Sequence, residues 1–220
     1  MSTQPPHYTQ LLVVMVARLL ASPLLLGGPG DIVASFFFFS IIFLIVQSYR
    51  LKRSLFILFV AIAALTFALD TALTMTWISI DAITPTLLTI SLIYALFFGS
   101  ATLLILRGIV RTSRVTMDTV RGGICVYLLL GYFWAVLYII VETLDPQAFS
   151  SPLLVDNTST QMIYYSFVTL TTLGFGDIVP VSPMASTLTI LEALLGQLYP
   201  TIFMGVLVGV YVASRDRSGG

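Results

Sequence analysis

Residues 160–180 read TQMIYYSFVTLTTLGFGDIVP, and the architecture of the chain can be inferred from this stretch outward. Its apolar first part, residues 160–171, fits a helix of about three turns, which cannot continue through Gly174 and Gly176. A helix of that length is too short to cross the ~30 Å hydrocarbon core of a bilayer, which takes ~20 residues. The stretch therefore predicts a half-length helix followed by an extended, glycine-bearing return.

The composition around this stretch indicates an integral membrane protein. Of the 220 residues, 58% are hydrophobic and only 9% are charged, with a mean hydropathy of +1.02, whereas soluble domains carry about 25% charged residues. So few charges cannot cover a water-facing surface, and membrane lipid is the expected partner of the apolar one. Ten basic and ten acidic residues cancel, and the basic ones are scattered, which excludes a nucleic-acid partner.

The chain lacks the residues of common catalytic and metal sites. Cys125 is the single cysteine, and His7, in a short polar tail, is the single histidine. One cysteine allows neither an intrachain disulfide nor a cysteine-based metal site. Because no catalytic grouping of Ser, Cys, His or paired carboxylates is visible, we expect no enzyme, no catalytic residue and no cofactor.

Apolar runs of sufficient length predict six transmembrane helices. No Lys or Arg precedes Arg18, so the first run lacks the basic start of a signal peptide and we expect a retained helix. Spans one and two meet at Gly27–Gly30, and spans three and four meet around Asp81, so neighbouring spans should be antiparallel. The six spans cover residues 10–27, 31–48, 54–79, 84–106, 122–143 and 184–212.

Basic residues orient these spans, because cytoplasmic loops are enriched in Lys and Arg. With a cytoplasmic N-terminus, nine basic residues fall on the cytoplasmic side and only Arg18 lies within a span. We therefore predict a multi-pass protein of the cell (plasma) membrane with both termini in the cytoplasm and residues 144–183 outside. The nine residues are Arg50, Lys52, Arg53, Arg107, Arg111, Arg114, Arg121, Arg215 and Arg217.

Backbone chemistry indicates what a half-length helix and its return can do. The last carbonyls of the helix carry partial negative charge, which favours a cation near the membrane centre. Non-helical backbone survives at that depth only where it is buried in protein or lines a water-filled path. Gly174 and Gly176 permit positive φ, and alternation of ordinary and left-handed residues turns successive carbonyls toward one axis. Four such strands would form rings of oxygens that replace an ion's water shell, with the Thr172 hydroxyl as the innermost ring.

The same residues resemble a known family. The run TTLGFGD at residues 171–177 is similar to the TTVGYGD signature of tetrameric potassium channels, and the resemblance covers about residues 122–212. It implies a six-helix prokaryotic-type channel, an all-α integral membrane protein with a re-entrant pore helix and a selectivity filter, assembling as a homotetramer. The implied function is passive, K⁺-selective conduction. The implied filter, with K⁺ bound at its first four residues, consists of Thr172, Leu173, Gly174, Phe175 and Gly176.

The resemblance also implies support behind the filter. Tyr164 and Tyr165 fall where the family carries an aromatic cuff, and Thr171 directly precedes the filter. Asp177 is expected either to hydrogen-bond to Tyr165 or to be a solvated carboxylate at the pore mouth. Phe175 replaces the family's usual tyrosine, which removes a bracing hydroxyl but should preserve selectivity.

Span six contains a predicted gating hinge. Pro200 has no N–H, so the carbonyl of Gly196, four residues earlier, loses its helical hydrogen bond and a kink is expected. Potassium channels resemble this, with a hinge glycine at the spacing from the filter aspartate that Gly196 has from Asp177. Alternatively, the bend is fixed and Gly196 only accommodates the pore helix. Gly205 and Gly209 permit close helix approach, either where inner helices cross or against span five.

Glu192 is an ionisable side chain inside span six. Such a group is costly in the membrane and marks a functional site by default. We expect either a structural buttress, hydrogen-bonded to pore-helix hydroxyls such as Thr169 or Thr171, or a buried proton sensor.

The first four spans resemble the layout of voltage-gated channels without the charged sensor. No charge lies between Thr84 and Ile105 in span four, and each charge yields only ~2.3 kcal/mol per 100 mV. We therefore predict weak voltage dependence. Arg107, Arg111 and Arg114 follow at a spacing suited to a linker helix on the lipid headgroups.

Arg18 and Asp70, within spans one and three, are expected to pair, unless Arg18 snorkels to one interface. About eight residues follow the last span, so gating by a cytosolic ligand would need a separate regulatory subunit. A weakly selective cation channel and a non-conducting or carrier-type membrane subunit stay open as alternative functions. The predicted domains are a four-helix membrane domain (1–115) and a pore domain (116–220) with outer helix 122–143, pore helix 160–171, filter 172–176 and inner helix 184–212.

Overall fold

The computed structural model describes residues 8–21, 33, 36–41, 43–44, 53–75, 80–112, 115–150 and 158–216. Seven helices have defined bounds, and residues 36–41 are helical as well. A π-helical segment, Tyr199–Met204, joins the last two helices. The helices are α1 (Tyr8–Ala21), α2 (Arg53–Thr74), α3 (Ile80–Val110), α4 (Met117–Leu144), α5 (Thr158–Leu170), α6 (Pro183–Leu198) and α7 (Gly205–Asp216).

Within these described ranges, three helical stretches are long and apolar enough to cross a membrane: Ala82–Val110, Met117–Leu144 and Pro183–Ala213. They correspond to predicted spans four, five and six. Two shorter apolar helices, Tyr8–Ala21 and Val60–Leu73, fall in predicted spans one and three. Much of predicted span two and the whole turn before it lie outside the described residues. The fold is that of a mostly helical membrane protein.

The link between α3 and α4 differs from the sequence prediction. Helix α3 continues to Val110 and includes Arg107 in its last turn, so the predicted linker helix of Arg107, Arg111 and Arg114 is wrong for its described part. No residue between the end of the apolar run and Val110 breaks the helix. A new helix begins at Met117 because the Thr116 side chain accepts a hydrogen bond from the backbone N–H of Thr119 at 3.3 Å, an N-terminal cap.

Helix α1 packs along α4 in the same direction. The Sγ of Cys125, near the start of α4, donates to the carbonyl of Tyr8 at 3.5 Å. Further along both helices, the Tyr132 hydroxyl donates to the carbonyl of Met15 at 2.9 Å. Gly122 makes room for this packing, because a Cβ there would lie 2.9 Å from the Tyr8 ring. The starts of α1 and α4 therefore lie on the same side of the molecule.

Arg18 lies inside this helical core. Its side chain is fully buried, and its guanidinium carbon lies 5.4 Å from the centre of the Phe38 ring, within the range of a cation–π interaction. The Asp70 carboxylate accepts a hydrogen bond from the Tyr94 hydroxyl at 3.3 Å. The pairing of Arg18 with Asp70 stays a prediction.

A short β-ribbon, which the sequence analysis did not predict, ties the chain after α4 to the chain before α6. Phe149 pairs with Pro180 and Ser150 with Val179 in an antiparallel arrangement. Helix α6 begins three residues later, at Pro183, because the Ser182 side chain accepts a hydrogen bond from a backbone N–H of its first turn. The ribbon fixes the exit from the glycine-bearing return against the end of α4.

Candidate functional site

Helix α5 lies against α4, and Gly131 sets their separation. A Cβ at Gly131 would lie 2.6 Å from the Phe167 ring, so only glycine admits this approach. The hydroxyl of Ser166 is 2.7 Å from the Gly131 carbonyl oxygen. Close packing and this hydrogen bond place the C-terminal end of α5, and the residues that follow it, beside α4 and α6.

The end of α5 is closed by backbone hydrogen bonds from the predicted filter. The N–H of Leu173 donates to the carbonyl of Val168 at 2.9 Å, and the N–H of Thr172 donates to that of Thr169 at 2.8 Å. Together with a left-handed Thr172, this is the Schellman arrangement of a helix C-terminus. Leu170, the last residue of α5, keeps its carbonyl occupied through the Tyr127 hydroxyl at 3.1 Å. The first two residues of the predicted filter are thus also the cap of α5.

Left-handed backbone recurs at every second residue of the predicted filter. Thr172 has a φ of 57°, Gly174 of 57° and Gly176 of 77°. The two glycines adopt the conformation that the sequence analysis required of them. Thr172 was not predicted to do so, because a β-branched residue is an outlier at positive φ and costs of order 1–3 kcal/mol there. All five residues from Thr172 to Gly176 are exposed in the isolated chain.

Asp177 is held by Tyr164, and the predicted bond to Tyr165 is wrong. The Tyr164 hydroxyl donates to the Asp177 carboxylate at 2.5 Å. Tyr165 lies about 100° further around the helix, where its hydroxyl is 2.7 Å from that of Thr189 on α6. Its ring packs edge-on against that of Tyr138, with ring centres 5.0 Å apart.

Glu192 connects three helices behind the end of α5. The carboxyl group is fully buried, with the Ser166 hydroxyl 2.6 Å from one oxygen and the Tyr138 hydroxyl 2.5 Å from the other. Both predicted partners, Thr169 and Thr171, are wrong, since Ser166 and Tyr138 bond to the two oxygens and the Thr171 hydroxyl donates to the carbonyl of Phe167 at 2.6 Å. Ser166 takes the predicted place of a pore-helix hydroxyl. The geometry is that of a buttress between α4, α5 and α6.

Gly196 is where α6 meets the end of α5. A Cβ there would lie 2.0 Å from the carbonyl oxygen of Leu170, so a side chain cannot be placed without moving one helix. The α-helix continues past Gly196 to Leu198, and the π-helical segment that contains Pro200 begins at Tyr199. The geometry matches the alternative in which Gly196 accommodates α5, and the hinge at Gly196 and Pro200 stays a prediction.

Gly205 and Gly209 face away from the rest of the chain. A Cβ at either position would meet no atom within 4 Å. Contact with α4 comes instead from Met204 and Leu207, which lie 2.6 Å and 3.1 Å from the place where Gly123 would carry a Cβ. The predicted alternative in which the two glycines pack against span five is therefore wrong.

Several polar side chains around the site were not predicted from the sequence. The clearest is Gln197, whose Nε2 donates to the Thr172 hydroxyl at 2.8 Å. Its signal was present in the sequence, since it is a lone amide in an apolar span. Three contacts of the predicted residues were also not predicted. Tyr127 bonds to the carbonyl at the end of α5, and Tyr138 and Ser166 bond to Glu192.

The oxygens available to a cation here come from backbone and hydroxyl groups. In the part of the chain that the structure describes, no three His, Cys, Asp or Glu residues come together as a metal site. The carbonyls of Thr172–Gly176 and the Thr172 hydroxyl are uncharged ligands, which can replace the water shell of a monovalent cation without holding it permanently.

Comparison with known proteins agrees with this picture for the second half of the chain. Residues 123–213 match the model of a protein family described as "Ion channel". Neither the curated proteins nor the solved structures include a match to the chain. The matched stretch contains most of α4, all of α5, the predicted filter, all of α6 and most of α7, and it supports an ion channel.

Proposed function

We propose that the chain is one subunit of a potassium-selective channel that conducts K⁺ passively through backbone oxygens of Thr172–Gly176. The observation that carries this is the positive φ at Thr172, Gly174 and Gly176. Alternation of left- and right-handed residues points successive carbonyls of one extended stretch to the same side, whereas in an ordinary strand they point to opposite sides. Rings of such carbonyls, one from each subunit, replace the hydration shell of K⁺.

A homotetramer fits the surfaces that the isolated chain leaves exposed. The last span is apolar yet mostly exposed, and Gly205 and Gly209 lie open on it. Small residues of this kind allow helices to approach closely in membranes. Four copies would cover this surface and place the exposed filter residues around one axis. Exposed apolar side chains of this span include Ile190, Leu194, Ile202, Val206 and Val210.

The arrangement behind the filter favours selectivity over a loose cation path. Tyr164 and Asp177 hold the outer end of the filter, while the cap on α5 and the Tyr127 hydroxyl hold its inner end. A filter fixed at both ends resists collapse around a smaller ion such as Na⁺. Phe175, which carries no hydroxyl, leaves this bracing to Tyr164.

The topology proposed with this function has six spans, both termini in the cytoplasm and the filter entrance outside the plasma membrane. The parallel packing of α1 and α4 supports it, because spans one and five must run in the same direction. The uncharged stretch of α3 supports weak voltage dependence.

Single-channel recording of the purified protein in liposomes tests the proposal. In mixed K⁺ and Na⁺ solutions, we expect the current to reverse near the K⁺ equilibrium potential. Gly174→Ala should abolish this current, because Ala is strained at a φ of 57°. Gly99→Ala is the matched control, since the nearest atoms to its added Cβ belong to the movable Phe133 ring, the closest at 3.3 Å.

The opposite results are equally clear. Equal permeability to K⁺ and Na⁺ would mean a weakly selective cation channel, and absence of current in every lipid, pH and voltage would mean a non-conducting or carrier-type subunit. Chemical cross-linking of the protein in the same liposomes should yield four-chain products, and products that end at two chains would refute the tetramer.

A further inference from the structure

The Thr172 hydroxyl has a side-chain partner on the inner helix. Gln197, in the last turn of α6, donates from Nε2 to Thr172 Oγ1 at 2.8 Å. It is the only side chain in the run ALLGQL at residues 193–198 that can form a hydrogen bond. Gln197 is exposed in the isolated chain, as Thr172 is, so the two side chains meet on the surface that carries the filter residues rather than inside the helical core.

Thr172 is a residue that needs such a partner. Its backbone is held in the left-handed region, with a φ of 57°, by the hydrogen bond from its N–H to Thr169. That bond does not fix the side chain, which can occupy three staggered rotamers. The hydrogen bond from Gln197 selects one of them. A hydroxyl oxygen has two lone pairs, so one remains for an ion after the Gln197 N–H has taken the other.

We propose that Gln197 is a positioning residue for the innermost K⁺ site, where its amide N–H fixes the Thr172 hydroxyl oxygen with a free lone pair toward the ion. This rests on the proposed channel function and adds a residue from outside the filter. In a homotetramer, four Gln197 side chains fix four hydroxyls as one ring. An ion bound to a fixed ring loses less binding free energy to ordering of its ligands, so it dissociates more slowly.

Block by Ba²⁺ from the cytoplasmic side measures this site. Ba²⁺ is close to K⁺ in size but doubly charged, so it stays in a K⁺ site long enough to be timed in single-channel records. Gln197→Leu should weaken the block about tenfold, the effect of one hydrogen bond of ordinary strength, mainly through faster Ba²⁺ dissociation.

Two further variants separate positioning from other roles. Gln197→Asn keeps the amide but is one methylene shorter, so it should weaken the block as Gln197→Leu does. In a Thr172→Val background no hydroxyl remains to be positioned, and Gln197→Leu should then change the block by less than about twofold. Gln147→Leu, in the exposed turn after α4, makes the same chemical change elsewhere. Ba²⁺ should block this variant as strongly as it blocks the wild type.

The proposal is overturned if Ba²⁺ blocks Gln197→Leu or Gln197→Asn as strongly as it blocks the wild type. It is also overturned if Gln197→Leu retains its full effect in the Thr172→Val background, because Gln197 would then act on the ion directly. If the wild type conducts K⁺ selectively but the variants do not behave as expected, only this proposal is refuted. A wild type without K⁺-selective current refutes the channel function and this proposal with it.

Discussion

Gly196→Ala tests the contact between α6 and the end of α5. The added Cβ would lie 2.0 Å from the Leu170 carbonyl oxygen, whereas C···O contacts begin at ~3.3 Å, so the helices must separate by about 1.3 Å. A backbone carbonyl cannot yield as a flexible side chain does. The same separation would stretch the hydrogen bond from Gln197 to Thr172, now 2.8 Å, beyond its working range. Overpacking and one lost hydrogen bond together should destabilise the protein by about 2–4 kcal/mol.

Thermal unfolding of the purified protein in one detergent measures this loss. At about 2–4 °C for each kcal/mol in a chain of this size, the melting temperature should fall by roughly 4–16 °C. Gly99→Ala, which introduces the same methyl group where only a movable Phe133 ring lies near, should melt close to the wild type. If Gly196→Ala has the same melting temperature as Gly99→Ala but the channel opens less often, the steric explanation is wrong and Gly196 acts as a hinge.

Three other perturbations probe the surroundings of the filter and the uncharged span. Glu192→Gln keeps hydrogen-bond partners for both neighbouring hydroxyls, whereas Glu192→Leu leaves a buried hydroxyl without its acceptor and should cost about 1–3 kcal/mol more in thermal unfolding; equal melting of the two would contradict the buttress. Tyr164→Phe should reduce the ratio of open to closed time about tenfold or more in single-channel records, since it removes a bond to a charged group, while Tyr165→Phe should not; the reverse order would contradict the observed pairing with Asp177. Conductance should rise only gently with voltage, because no charge lies between Thr84 and Ile105 in α3, and a steep curve carrying several gating charges per subunit would contradict this prediction.

The sequence predicted those features of the site that have a direct local cause. Long apolar runs located the helices of the second half of the chain to within a few residues. Gly174 and Gly176 predicted positive φ because glycine is the residue that adopts it without strain. Thr172 has the same conformation for another reason: its N–H donates to the Thr169 carbonyl as part of the cap on α5, and the identity of a threonine does not signal that role.

Side-chain partners were harder to predict than helices. Neighbouring residues on a helix point about 100° apart, so choosing Tyr165 over Tyr164 for Asp177 required the rotation of α5 about its axis. An almost uniformly apolar helix gives no polar face from which to read that rotation. Glu192 shows the same difficulty, since its partner on α5 is Ser166 and a second partner, Tyr138, comes from α4.

Closure of α5 by Thr172 and Leu173 makes the filter intolerant of insertions and deletions. One extra residue after Leu170 would separate the helix from its cap and shift the three left-handed positions by half of their two-residue period. Glycines would then fall at positions that need right-handed backbone, and residues with bulky side chains would fall at positions that need left-handed backbone. Two extra residues would restore the phase but lengthen the path by another pair of oxygen layers, so the spacing between helix end and mouth can change only in steps of two.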